Sequence, residues 1–219
     1  MEPGTAKPLR GGLAHQPHLA SAGASAPAGG VEQRAVVLVE GVSDRHALET
    51  LAQRRGIDLD ADGITIVAMG GASNIGHFLD VWGPHGRDLG LAGLFDAAEI
   101  GDIQRGLHRA GLGQDLRPAE MEQLGFHRCV EDLEDELIRH LGVDSVQQVI
   151  DAQGESASFR TFQRQPAQRE RSSEQQLRRF LGTASGRKIR YGRLLVEALD
   201  LDHVPRPLDG VLAHVSTIR

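Results

Sequence analysis

The sequence has a single cysteine, Cys129, and no apolar run that approaches the length of a membrane-spanning helix. One cysteine excludes an internal disulfide and a cysteine-based zinc site, and low cysteine use fits a reducing compartment. We therefore expect a soluble, cytoplasmic protein without a membrane partner. At 219 residues and 23.6 kDa, the chain can bury one substantial core but hardly two full domains.

The amino-terminal segment lacks the features of a targeting signal. The first thirty or so residues are rich in Ala, Gly, Pro and His, with no basic region before a long apolar core and no helical period. This composition predicts a disordered tail over residues 1–33 and argues against a signal peptide.

The clearest strand signal lies at residues 35–39, which are all apolar and mostly β-branched. Such a run is typical of a strand buried on both faces of a parallel sheet. Glu40 follows directly, Gly41 permits a tight turn, and Ser43 is a candidate N-cap for a helix over residues 44–55. Ligands of open α/β sheets bind outside the carboxyl ends of strands, which is the predicted position of Glu40. In the alternative interpretation, Glu40 only caps a loop or pairs with an arginine.

A second buried strand is predicted over residues 64–69. It ends in Gly70 and Gly71, and paired glycines let the backbone turn sharply or come close to a ligand. A helix that ends near Trp82 follows.

A third strand, over residues 91–95, delivers a second acidic tip. Asp96 comes directly after it and Glu99 three residues later. In a parallel sheet these acids reach the same edge as Glu40.

A short fourth strand over residues 126–130 runs into EDLEDE at residues 131–136, with five carboxylates in six positions. A helix here would place Glu131, Glu134 and Asp135 next to one another at i, i+3 and i+4. Its core positions would be Val130, Leu133, Leu137, Ile138 and Leu141. Acids in a first helical turn also interact favourably with the helix dipole, and this structural explanation covers some of the five.

The alternation of strands and helices predicts an α/β fold: a doubly wound, mostly parallel four-stranded sheet with a C-terminal helical extension. We predict the sheet domain over residues 34–142 and a basic, mostly helical extension over residues 143–219.

Carboxylates that converge at one sheet edge repel one another, so they persist mainly where a cation neutralises them. Oxygen ligands favour Mg²⁺ or Mn²⁺ over zinc. Magnesium held by a few carboxylates completes its shell with water and phosphate oxygens, which is the chemistry of phosphodiester cleavage or formation.

A basic segment supports a nucleic-acid partner. Residues 156–193 contain ten Arg or Lys and two Glu, a balance of +8; since the chain carries −6, the remainder carries −14. Such a segment fits contact with a phosphate backbone. It could equally be a solvated helix that pairs with the acidic body. The candidate nucleic-acid contacts are Arg160, Arg164, Arg169, Arg178, Arg179, Arg187 and Arg190.

Three motifs resemble the TOPRIM domain of topoisomerases, bacterial primases and OLD (overcoming lysogenization defect) endonucleases. They are VEGVSD at residues 39–44, LFDAAE at 94–99 and CVEDLEDEL at 129–137. The Gly70-Gly71 exit, the acidic third motif and the basic C-terminal region are most similar to the OLD nucleases.

The resemblance implies a role for each matching residue. Glu40 would be a metal-associated general acid or base, and Asp44 and Asp96 would be metal ligands, with Gly41, Gly70 and Gly71 forming the backbone loops beside them. The third acidic position is open among Glu131, Asp132 and Glu134. Lys188, in SGRKIRYGRLL, matches the lysine that precedes a helix in OLD nucleases and would stabilise charge on the phosphate.

The sequence departs from the family pattern at one motif and lacks one family part. TOPRIM domains carry Asp-x-Asp at the strand tip, whereas Ala98 occupies the second acidic place here and Glu99 is the candidate substitute. OLD proteins also fuse this domain to an ATPase, and no phosphate-binding loop with the required spacing is found.

These patterns predict a Mg²⁺-dependent TOPRIM-type endonuclease that acts on DNA. The alternative is a catalytically weakened nucleic-acid-binding or regulatory module that works with a separate ATPase partner. A receiver-like signalling domain phosphorylated at Asp96 is disfavoured, because no lysine follows a predicted strand end before Lys188. A homodimer is also compatible with the sequence.

Overall fold

The computed structural model describes residues 31–218. Most of the predicted disordered tail, residues 1–30, lies outside the described residues. Residues 31–33 have no regular secondary structure. Among the described residues, no helix combines the length and the apolar composition that crossing a membrane requires.

Four parallel strands form one sheet in the order β2-β1-β3-β4. The strands are β1 (Ala35–Val39), β2 (Ile64–Ala68), β3 (Gly90–Phe95) and β4 (Phe126–Arg128). The predicted doubly wound α/β fold is thereby confirmed. β1 and β3 are the two central strands, which explains why their sequences are almost entirely apolar.

Helices cover both faces of the sheet. They are α1 (Val42–Arg54), α2 (Ile75–Trp82), α3 (Ile100–Arg109), α4 (Pro118–Gln123), α5 (Leu133–Leu141), α6 (Val143–Ala152), α7 (Ser156–Gln163), α8 (Ser173–Leu181), α9 (Ser185–Ala198) and α10 (Arg206–Thr217). Successive residues of β1 alternate between two hydrophobic clusters: Val37 and Val39 pack with α1 and α5 to α10, whereas Val36 and Leu38 pack with α2 to α4.

The helix α9 packs closely against α1. A Cβ atom at Gly192 would lie 3.2 Å from the carbonyl oxygen of Ser43, so the glycine allows the two backbones to approach. At the other end of the contact, Arg54 donates hydrogen bonds to the carbonyl oxygens of Val196 and Leu199, at 2.7 and 2.8 Å. These bonds satisfy carbonyl acceptors at the carboxyl end of α9, where helices have fewer internal donors.

The predicted N-cap at Ser43 is wrong. The first helix begins two residues earlier than predicted, at Val42; its N-cap is Gly41, and Ser43 is buried inside the first turn. The carboxylate of Asp44 accepts a hydrogen bond from the backbone N–H of Gly41 at 2.8 Å. The sequence shows both residues, but only the backbone conformation decides which of them caps the helix.

The acidic segment also folds differently from the prediction. α5 begins at Leu133, after a loop that contains Glu131, so the i, i+3, i+4 arrangement of Glu131 with Glu134 and Asp135 does not form. Val130, predicted as a core residue, is 58% exposed. Leu133, Leu137 and Ile138 are buried as expected.

Candidate active site

The site lies at the carboxyl edge of the sheet, where β1 and β3 are neighbours. Val39 at the end of β1 pairs with Leu94 of β3, so Glu40 and Asp96 follow two adjacent strand ends. β2 lies beyond β1 and β4 lies beyond β3, so the chain leaves this point in opposite directions. Open α/β sheets form their ligand crevice at such a switch point.

Glu40 is held through its backbone. Its carbonyl oxygen accepts hydrogen bonds from the N–H groups of Gly70 and Gly71, at 3.0 and 3.2 Å. Both glycines have positive φ angles, 71° and 125°, which side chains disfavour. The Glu40 side chain is half-buried, and its negative charge raises the pKa values of Asp44 and Asp96.

Asp44 is buried at the start of α1, facing the same crevice. Burial raises the pKa of its carboxyl group, the Gly41 N–H and the charge of Lys188 lower it, and Glu40 raises it. Burial dominates, so the negative form is held at a cost. Gly41 therefore contributes a backbone donor to the site.

The carboxyl group of Asp96 has a strongly raised pKa. Burial raises the pKa of its carboxyl group to about 8, and the charges of Asp44, Glu40 and Asp132 act in the same direction. Lys188 opposes them. The acids from β1, from β3 and from the loop after β4 are therefore close enough to repel one another, as the sequence predicted for this edge.

The loop after β4 is fixed beside Asp96 by the backbone. Ala97 donates a hydrogen bond to the carbonyl oxygen of Glu131 at 3.1 Å, and Cys129 donates one to Phe95 at 2.9 Å. This pairing brings Asp132 and Glu134 to the crevice.

Asp132 is the N-cap of α5 and also the partner of a basic side chain. Its carboxylate accepts the N–H of Asp135 at 2.9 Å, and Nε of Arg178 donates to Oδ2 at 2.7 Å. Glu131 is more exposed and lies 3.6 Å from the same guanidinium. Arg178, expected to contact nucleic acid, thus holds two of the candidate metal ligands.

Glu134 and Lys188 form an ion pair inside the site. Nζ of Lys188 lies 3.2 Å from Oε2 of Glu134, whose side chain is 5% exposed. Burial raises the pKa of Glu134 to about 7 against the opposing effect of Lys188. Burial lowers the pKa of Lys188, but Glu134, Asp44 and Asp96 outweigh it and raise the pKa, so the amine stays protonated. Oε1 of Glu134 is buried without a hydrogen-bond partner among the described residues.

The altered second motif forms a short turn after Asp96. Ala98 is exposed, and Glu99 is half-buried at the start of α3. Burial raises the pKa of Glu99, and the charges of Glu40 and Asp102 raise it further. Glu99 directly follows Ala98, which occupies the second acidic place of the motif, and it lies close enough to Glu40 to be repelled by its charge.

These residues fit a magnesium ion better than a metal that takes all of its ligands from protein side chains. The donors are oxygen atoms, their charges are only partly compensated by Lys188, and one buried carboxylate oxygen of Glu134 is unpartnered. Within residues 31–218, no three His, Cys, Asp or Glu side chains form a ready-made metal cage. Magnesium is usually held by one or two carboxylates and keeps water or phosphate oxygens as its other ligands.

The candidate nucleic-acid arginines fall into two groups. Arg178, Arg187 and Arg190 are engaged in ion pairs within the protein. The other four are exposed on α7, α8 and the segment between them, where they are open to a partner: Arg160, Arg164, Arg169 and Arg179.

Sequence reasoning missed Glu155, which organises the base of α9. Arg187 donates to Oε2 of Glu155 at 3.0 Å, Arg190 pairs with Oε1, and the hydroxyl of Tyr191 donates to Oε2 at 3.1 Å. Burial raises the pKa of Glu155, but these three partners outweigh it and lower the pKa. No local sequence pattern predicts this cluster, because Glu155 and α9 are distant in sequence.

Comparison with known proteins supports the resemblance seen in the motifs. The sequence model of the family described as "Overcoming lysogenization defect protein-like, TOPRIM domain" matches residues 33–89. This range contains Glu40, Asp44 and the Gly70-Gly71 turn. A search of the curated proteins found no match.

Solved structures of similar fold include C-terminal regions of two OLD proteins. That of Xanthomonas campestris pv. campestris has 24% identity and a TM-score of 0.66, over 84% of this chain and 92% of that one. That of Burkholderia pseudomallei has 18% identity and a TM-score of 0.65, over 84% and 97%. At these identities the likeness establishes a common fold.

Proposed function

Since this chain carries an OLD-like TOPRIM domain, we propose that it is a Mg²⁺-dependent endonuclease that hydrolyses phosphodiester bonds in DNA. TOPRIM domains imply metal-linked chemistry on nucleic acids. The observation that carries the proposal is the convergence of Glu40, Asp44, Asp96 and Asp132 at one edge of the sheet, where burial and the charges of the other three acids together raise the pKa of Asp96 to about 8. A divalent cation would relieve this repulsion.

The acids would hold the metal and the remaining residues would position the substrate. Glu40, Asp44 and Asp96 are the first candidates for metal ligands. Asp132 and Glu134 are the other acids that line the site. When bound, Mg²⁺ supplies Lewis acidity and orients phosphate oxygens. Glu99 is the candidate replacement for the second aspartate of the motif, whose position Ala98 occupies.

Glu40 and Lys188 would be the catalytic side chains that act beside the metal. Glu40, half-buried at the mouth of the crevice, is placed to take a proton from an attacking water molecule. Lys188 remains protonated, and its ammonium would stabilise negative charge that develops on the phosphate. Since Lys188 now pairs with Glu134, an incoming phosphate would share or replace that partner.

DNA would extend from the acid site across the C-terminal helices. The exposed arginines Arg160, Arg164, Arg169 and Arg179 supply charge for the backbone, and each neutralised phosphate releases counterions. The division into a TOPRIM domain over residues 34–142 and an extension over 143–219 remains a prediction. The two ranges share one hydrophobic cluster.

A catalytically weakened binding or regulatory module is the second candidate function. The exposed Ala98 in place of an acid favours it, because a second metal would have fewer ligands. A separate ATPase subunit and a homodimer are further proposals that suit either function.

The deciding experiment is incubation of the purified protein with supercoiled plasmid in Mg²⁺, Mn²⁺ or chelator. Glu40→Gln removes the proposed base, and Glu32→Gln makes the same change at an exposed residue before β1, on the opposite edge of the sheet. We expect metal-dependent nicking that Glu40→Gln abolishes and Glu32→Gln retains. Full activity of a folded Glu40→Gln protein would reject the assignment. Salt-sensitive binding without any cleavage would favour the regulatory module.

A further inference from the structure

A cavity of about 550 Å³ lies beside α3, on the face of the sheet that α2 to α4 cover, whereas the C-terminal helices pack against the other face. Its wall includes Ser73, in the turn after β2, and Asp102, Arg105 and Arg109 of α3. Pockets of this size are typical of small-molecule or single-residue binding sites. The proposed function does not use it.

The residues that line the cavity are neighbours of the acid site. Ser73 follows the Gly70-Gly71 turn that holds Glu40, and Gly101 follows Glu99 by two positions. Asp102, in the cavity wall, is one of the charges that raise the pKa of Glu99, and Glu40 is another. A strand whose phosphate lies at Glu40 would therefore meet this cavity with a neighbouring nucleotide.

The lining has both the charges and the amides that a nucleotide requires. Arg105 has a side chain that is 70% exposed, and its ion pair with Asp102 occupies a single terminal nitrogen. A guanidinium has five donors, so others remain for a phosphate. Gln104 donates to the carbonyl oxygen of Leu116 at 2.8 Å, which fixes its amide in the wall.

Arg109 packs against a glycine of the neighbouring helix. A Cβ atom at Gly76 of α2 would lie 1.8 Å from a terminal nitrogen of Arg109, so the guanidinium occupies space that a side chain at this position would fill. A planar guanidinium can stack on a base or bind a phosphate through two nitrogens. The cavity thus offers two exposed arginines, Arg105 and Arg109.

We propose that this cavity binds one nucleotide of the nucleic-acid strand, next to the phosphate at the acid site, with Arg105 on its phosphate and Arg109 against its sugar or base. The strand would then be held from both sides, by α3 on one side and by the C-terminal arginines on the other. The proposal rests on the proposed function for the identity of the strand. Its test does not need cleavage.

The test is binding of a fluorescent single-stranded oligonucleotide to the full chain in chelator, over a range of salt concentrations. Arg105→Gln removes the exposed guanidinium. Arg87→Gln makes the same change in a loop at the opposite edge of the sheet, where Arg87 donates to Gln33. We expect Arg105→Gln to weaken binding about tenfold, because it removes a charged hydrogen bond. The salt slope should fall by about one, and Arg87→Gln should change neither quantity.

Further measurements distinguish the possible outcomes of this binding test. Equal binding by Arg105→Gln and wild type, or no binding by wild type, would overturn the proposal. Competition by a free nucleoside monophosphate that Arg105→Gln abolishes would identify a free nucleotide, rather than a strand unit, as the occupant of the same cavity. Plasmid cleavage is assayed separately: Arg105-dependent binding without any cleavage would reject the nuclease and retain the cavity.

Discussion

Nζ of Lys188, on α9, lies 3.2 Å from Oε2 of Glu134, on α5, and this pair closes one side of the acid site. Lys188 is one of only two lysines in the chain, the other being Lys7. Its pairing with a nearly buried carboxylate ties the C-terminal helices to the chemistry proposed at the sheet edge.

Removal of the ammonium by Lys188→Met should reduce both activity and stability. Cleavage should fall about 100-fold or more, because a group that stabilises phosphate charge is lost. Glu134 would be left buried without its partner, and we expect a loss of about 1–3 kcal/mol in the free energy of unfolding. Urea unfolding and plasmid cleavage measure the two effects.

The double variant Lys188→Met, Glu134→Gln separates these effects. Neutralising Glu134 removes the unpaired charge, so stability should return towards the wild-type value while cleavage stays low. If the double variant regained activity, Lys188 would serve only to neutralise Glu134.

Substitution at Gly192 should disturb the site from a distance. Gly192→Val places a branched side chain where even a Cβ atom lies 3.2 Å from Ser43, and such overpacking costs about 1–3 kcal/mol. A Cβ atom at Gly186, on the same helix, would meet no atom of the described residues within 4 Å, so Gly186→Val is the matched control. We expect urea unfolding and cleavage to be impaired only in the Gly192 variant. Equal effects of the two variants would contradict a close contact between α9 and α1.

Stability at alkaline pH should depend on Tyr191. Burial raises the pKa of its hydroxyl to about 12, and the hydrogen bond to Glu155 acts in the same direction. An unfolded tyrosine ionises near pH 10. Because the folded pKa is the higher one, the stabilisation is complete below about pH 10 and is lost as the pH rises to about 12.

The comparison with Tyr191→Phe isolates this effect. Between about pH 9 and pH 12, wild type should lose about 2–3 kcal/mol more than Tyr191→Phe, as judged from urea unfolding. Parallel pH profiles of the two proteins would show that the tyrosine ionises as freely in the folded state as in the unfolded one.

Neutralisation of Asp96 should stabilise the metal-free protein. Burial and three neighbouring acids raise the pKa of this carboxyl group to about 8, so at neutral pH the metal-free protein must bind a proton at Asp96 to fold, and Asp96→Asn removes that cost. We expect about 1–2 kcal/mol of added stability at neutral pH in chelator. A loss of stability in Asp96→Asn would mean that the carboxylate has a structural partner rather than a cation to bind.

The sheet and its acidic tips could be predicted because their signals are local. A fully apolar run such as residues 35–39 predicts a buried parallel strand, and the residue that follows it must lie at the strand end. Glu40 and Asp96 were therefore expected at one edge, and the structure brings them together.

The remaining details depend on tertiary contacts that no local pattern contains. Val130 continues the apolar spacing of α5, but the helix begins only at Leu133, so Val130 lies in the preceding loop. α7 has only a weak local signal, because residues 156–163 are mostly polar and small, and its two buried phenylalanines pack against Phe180 of α8. The ion pairs Lys188–Glu134 and Arg178–Asp132 likewise join segments that are far apart in the chain.

The most direct test of the metal centre is calorimetric titration of Mg²⁺ and Mn²⁺ into wild type, Asp96→Asn and Asp60→Asn. Asp60 is an exposed acid in the loop before β2, at the opposite edge of the sheet, and controls for general charge effects. We predict saturable binding to wild type and to Asp60→Asn, and its loss in Asp96→Asn. Undiminished binding to Asp96→Asn, or no binding to the wild type, would contradict a metal centre at the ends of β1 and β3.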